Sequence, residues 1–137
     1  MDRSSHEGCN EQNNRGVAGI LDDQTRRDAI AIARFITDHK GVDTVALDIS
    51  QTCGWAECFI IATVNSMGHL RGITKELWGF LADMNIEVIN RRKNIAGDGW
   101  ELIDCSSILI HLMSAEMRSF YTLEKLWHQG VPIALEA

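Results

Sequence analysis

Three carboxylates, Asp43, Asp48 and Glu57, flank two apolar runs in this 137-residue chain. Clustered acids at strand ends can hold magnesium for nucleotide chemistry. Such a site calls for two acids one residue apart at a strand end, and that spacing is missing near the run CFIIAT. The commoner use of acids in this position is to face water or close a turn. His111 lies between Ile110 and Leu112 in a second apolar run. Placed there, an imidazole is a ligand, a base or a proton switch, or, more commonly, a strand histidine satisfied by a neighbouring group. Trp100 follows the Gly-bracketed turn Gly97-Asp98-Gly99. Its large apolar area leaves water either in a core or at a binding surface.

Cys53 and Cys58 have four residues between them and no matching second pair, and Cys9 and Cys105 stand alone, so no zinc motif forms. Reduced, mostly buried thiols are the expectation. There is no GxGxxG, GxxxxGK[ST], HExxH or GxSxG in a strand-to-helix context. The expectation is therefore no catalytic residue, no metal and no cofactor.

The elements that position these residues follow from periodicity. Thr25-Arg26-Arg27-Asp28 resembles a capping box, and Ala29, Ile32, Ala33 and Ile36, widened by Phe35, repeat at helical spacing. Lys40-Gly41 closes that helix, with Gly41 expected in the left-handed conformation. Residues 42–49 read as a strand, and Cys58–Thr63 as a strand buried on both faces. Asn65 or Ser66 caps a helix striped by Leu70, Ile73, Leu77, Leu81 and Met84, with Trp78 just off the stripe. Ile86–Asn90, Trp100–Asp104 and Ser107–Leu112 read as three more strands. A last helix starts near Ser114, carries Met117, Phe120, Tyr121 and Trp127, and is stopped by Gly130 and Pro132. Strand alternation puts Trp100, Leu102 and Asp104 on one face and Glu101 and Ile103 on the other, without saying which meets solvent.

This order predicts one α/β domain, a mixed sheet of about five strands covered by helices. Its expected bounds are residues 24–132, between a polar N-terminal tail (1–23) and a short C-terminal tail (133–137). No apolar stretch reaches the roughly 18 residues needed to cross a bilayer, and residues 1–23 contain no secretory h-region, which points to the cytoplasm. With 13 Lys and Arg against 19 Asp and Glu, net charge is −6. That balance disfavours a protein whose main task is gripping phosphates and favours a basic protein partner. The cationic run Arg91-Arg92-Lys93 is short and reads as a solvated loop.

The segments VALDIS, WAECFIIAT followed by Asn65-Ser66, GDGWELID, SILIHLMSAEMRSFY and LEKLW occur in a single order, from about Ala29 to Trp127. In that ordered set the chain resembles the ribosomal silencing factor (Iojap-type) family. The resemblance implies a nucleotidyltransferase-like fold without the catalytic acids, and binding to the large ribosomal subunit. There such a factor sits on large-subunit protein number fourteen, blocks small-subunit docking and represses translation when nutrients are scarce. It also implies that Trp100 contributes to the partner surface, and adjacency extends this to Leu102, Ile103 and Asp104. Glu57 stands where the family usually has Asp, which weakens a metal site further. Two other readings stay open: a small magnesium-dependent nucleotidyltransferase-like enzyme, and a homodimeric scaffold built on Trp78, Trp100 and Trp127.

Overall fold

A computed structural model describes residues 21–51, 56–89, 99–121 and 130–135, without the side chains of Phe120 and Tyr121. Chain order is α1 (Asp23–Asp38), β1 (Val42–Asp48), β2 (Cys58–Val64), α2 (Met67–Asp83), β3 (Trp100–Asp104), β4 (Ile108–Ser114), α3 (Ala115–Tyr121) and β5 (Val131–Pro132). The five strands form one sheet in the order β3-β4-β2-β1-β5. Only β2 and β4 run parallel; the other neighbours are antiparallel. The expected mixed α/β sheet is therefore present.

The α1 stripe of Ala29, Ile32, Ala33 and Ile36 and the α2 stripe of Leu70, Ile73, Leu77 and Leu81 are buried on one face of the sheet. They meet Ala46, Cys58, Ile60, Ala62, Ile103, Ile110 and Leu112 there. Trp78 packs at the stripe's edge. A second cluster lies on the opposite face: Leu47, Ile49, Ile61, Leu109 and Met113, flanked by half-buried Val45, Phe59, Trp100, Leu102 and Met117. Both central strands thus bury side chains on both faces, which explains the unbroken apolar run of CFIIAT.

The helix ends differ from expectation. Asp22, not Thr25, caps α1: its carboxylate accepts from the N–H groups of Gln24 (3.1 Å) and Thr25 (3.2 Å). Leu21 is buried in the core, so the N-terminal boundary lies ahead of residue 24. Asp22→Ala should lower stability by about 1 kcal/mol, read as a shift in the urea unfolding midpoint at unchanged slope. At the other end, Lys40 rather than Gly41 takes the left-handed conformation (φ 77°). The N–H of Gly41 donates to Ile36 O (2.8 Å) and that of Lys40 to Thr37 O (3.0 Å), which makes a Schellman motif. Gly41 is needed for space instead: a Cβ there would collide with Ile36 Cγ2 and approach the Ile36 carbonyl oxygen to 2.9 Å. Helix α2 starts at Ser66, whose Oγ accepts from His69 N–H (3.0 Å), as expected. It closes with the same motif, using Asn85 at φ 62°.

Two further expectations are corrected. Ile86–Ile89 is not a strand: Ile86 and Val88 pack against the core, and Ile89 N–H donates to Asp104 O (2.7 Å), but no ladder forms. The fifth strand is β5, where Val131 and Pro132 pair with Asp48 and Leu47. Proline is tolerated because this is a sheet edge, where a missing N–H breaks no inner ladder. Ile133 is buried and its N–H donates to Ala46 O (2.8 Å), so residues 133–135 belong to the fold rather than to a tail. The segment 122–129, with Trp127, the cation run at 91–93, and Cys9 and Cys53 lie outside the described residues.

Candidate functional site

Strand β3 is an edge strand, and its burial alternates strictly: Glu101 and Ile103 are buried, Trp100, Leu102 and Asp104 half-buried. Gly99 leads into it at φ +90°, a conformation that glycine adopts without strain. Its carbonyl accepts from Ser114 N–H (2.8 Å), which fixes where β3 begins relative to β4. The register places Leu102 opposite His111 and Trp100 opposite Met113. Trp100 therefore lies diagonal to His111 on the second face, within reach of a long aromatic side chain.

Four of the anticipated residues can be located. Trp100 and Leu102 share the second face with Phe59 and Met117. Asp104 points the same way, but its Oδ1 accepts from Ser106 N–H (2.8 Å) and helps to build the β3–β4 turn. Ile103 must be removed from the group. It is only 1% exposed and packs under the helices on the opposite face, because alternate residues of a strand point to opposite sides. No partner could touch it without opening the core.

Trp100 Nε1–H donates to His111 Nδ1 at 3.3 Å. An accepting Nδ1 requires neutral imidazole with its proton on Nε2. That Nε2 is buried and has no hydrogen-bond partner among the described residues. Phe59 meets the imidazole edge-on, with ring centroids 5.1 Å apart. Burial disfavours the charged ring and lowers the His111 pKa from 6.5 to about 4. The aromatic patch is held together by a neutral, sheet-buried histidine.

The three carboxylates do not form one site. Asp43 and Asp48 lie near opposite ends of β1, five residues and so about 16 Å apart at the rise of a strand. Asp48 Oδ1 accepts from the N–H (2.9 Å) and hydroxyl (2.6 Å) of Ser50, and Glu57 Oε1 accepts from Asp22 N–H (3.3 Å). Among the described residues no three His, Cys, Asp or Glu side chains gather where a metal ion could bind. Cys58 and Cys105 are buried free thiols, both pushed up to about 12 by burial first and by nearby Asp48 and Asp104 second.

One residue escaped the sequence reading. Arg118 of α3 is 7% exposed, and its Nη1 donates to Asp43 O and Thr63 Oγ1, both at 2.9 Å. It ties α3 across the ends of β1 and β2, beside an open cleft of about 1200 Å³. An arginine in a short amphipathic segment carries no local mark that it turns inward. Among the described residues no helix is long and apolar enough to cross a membrane.

The described residues form a mixed α/β sheet with an aromatic face on its edge strand β3. The family of ribosomal silencing factors during starvation matches residues 22–137, and the chain belongs to that family. It is 36% identical over 100 residues to ribosomal silencing factor RsfS of Treponema pallidum, covering 72% of this chain and 88% of that protein. Against RsfS of Halalkalibacterium halodurans it is 31% identical over 101 residues, covering 74% and 86%. A crystal structure of a Chromobacterium violaceum protein shares the fold, with TM-score 0.67 and 22% identity over 79% of this chain and 88% of the other.

Proposed function

We propose that this chain silences ribosomes in the cytoplasm by binding the large subunit through its protein number fourteen, so that the small subunit cannot join. The observation that carries the reading is the edge-strand patch. Trp100 and Leu102 are half-buried on one face with Asp104 beside them, which combines an aromatic anchor with an acidic rim. A net charge of −6 would steer the chain towards a basic ribosomal protein and raise the association rate. The effect is steric, needs no transition-state stabilisation, and makes the chain a regulator rather than an enzyme. A standard interface buries roughly 1,600 Å², within reach of a domain this size. Repression when nutrients are scarce follows as the physiological use.

The enzyme reading is disfavoured by the separation of Asp43 from Asp48 and Glu57. A homodimer of the free protein is compatible with ribosome binding through a different face. Co-sedimentation of the full chain with separated subunits, followed by a subunit-joining assay, tests the proposal. Large-subunit binding with reduced joining is expected; no binding by folded protein would overturn it.

A further inference from the structure

We infer that His111 is a positioning residue for the partner surface, holding the Trp100 indole by its N–H edge so that the ring is presented in one orientation. The inference rests on the proposed role of Trp100 and deepens it. A tryptophan at the start of an edge strand has rotamers that a partner must freeze, and freezing a side chain on binding weakens association. Here two contacts made before any partner arrives restrict the ring, the 3.3 Å bond to His111 Nδ1 and packing within the second-face cluster, while the bond of Ser114 N–H to Gly99 O fixes the backbone that leads into it. Phe59 supports the imidazole from the far side, and the centroids of Trp100 and His111 lie 6.0 Å apart. A row of Phe59, His111 and Trp100 thus runs from the central strand β2 through β4 to the edge strand β3.

The imidazole's other nitrogen makes the assignment more pointed. With Nδ1 accepting, Nε2 must carry the proton, and this donor is buried without an acceptor among the described residues. Leaving a buried donor unmade works against stability, and an apolar side chain of similar size would avoid the penalty. An acceptor aimed at the Trp100 N–H is a reason for histidine at this position that an apolar side chain of similar size could not supply.

The test combines a spectroscopic readout with binding, both on the full chain. In ¹⁵N-labelled protein the Trp100 indole cross-peak is assigned by its loss in Trp100→Phe. In His111→Phe that peak should move upfield and its proton should exchange faster with water. In His111→Asn, whose Oδ1 can take the place of Nδ1, the wild-type signature should return. In co-sedimentation with large subunits, His111→Phe should bind about two- to tenfold more weakly and His111→Asn close to wild type. If His111→Phe does not fold, His111→Leu removes the acceptor while leaving Trp100 intact, and should show the same two- to tenfold loss. An unchanged indole signal in folded His111→Phe overturns the inference. So does wild-type binding by a folded variant that has lost the bond. The underlying reading fails in a different way: folded Trp100→Ala would then bind large subunits like the wild type.

Discussion

Trp100→Ala is expected to lose large-subunit binding by about 30-fold or more while remaining folded. A central aromatic anchor is typically worth 2 kcal/mol or more on truncation, and each 1.4 kcal/mol is tenfold in affinity. Folding should survive because Trp100 is half-buried on an edge strand, while the large core under α1 and α2 does not include it. Losing its second-face contacts with Met113 and Leu102 should lower the melting temperature only modestly. The measurement is a co-sedimentation titration on the variant, with circular dichroism to establish the fold. Undiminished binding by a folded variant would remove Trp100 from the partner surface and leave the patch without its anchor.

Acid should destabilise the wild type through His111, a contribution that His111→Phe lacks. The unfolded imidazole takes a proton near pH 6.5, and burial keeps the native one neutral down to about pH 4. Between those values the unfolded chain binds the extra proton, so stability rises with pH across the window. It is complete above pH 6.5 and falls as pH drops towards 4, by about 3 kcal/mol in all, at 1.36 kcal/mol per pKa unit. Urea unfolding of wild type and His111→Phe at pH 7 and pH 4 isolates this contribution, because the carboxylates common to both cancel. Equal acid losses in the two proteins would show that the native histidine titrates normally.

Much of the fold is legible because it is written in local periodicity. The 3.6-residue stripes of α1 and α2, the Ser66 cap and the alternation of Trp100–Asp104 need only nearest neighbours along the chain, and the structure has all of them. The errors are of another kind. Lys40 rather than Gly41 is left-handed because the tight approach of Ile36 claims the glycine. Ile86–Ile89 has strand composition, yet pairs with Asp104 through one hydrogen bond and otherwise only packs. Val131–Pro132 looks like a helix stop and becomes an edge strand, since β1 offers an open side to pair with.

By itself the sequence determined the class of fold, the order of most elements and the ordered segments by which the family is identified. Each of these rests on residue type and short-range spacing, which folding cannot rearrange. Only the tertiary structure decided which face of β3 is covered. Alternation sorts Trp100, Leu102 and Asp104 from Glu101 and Ile103, but α1 and α2 choose the side by packing there, so Ile103 is buried and Trp100 is not. The tie between Trp100 and His111 is likewise tertiary. They stand eleven positions apart in the chain, and only the β3–β4 register brings indole and imidazole within a hydrogen bond.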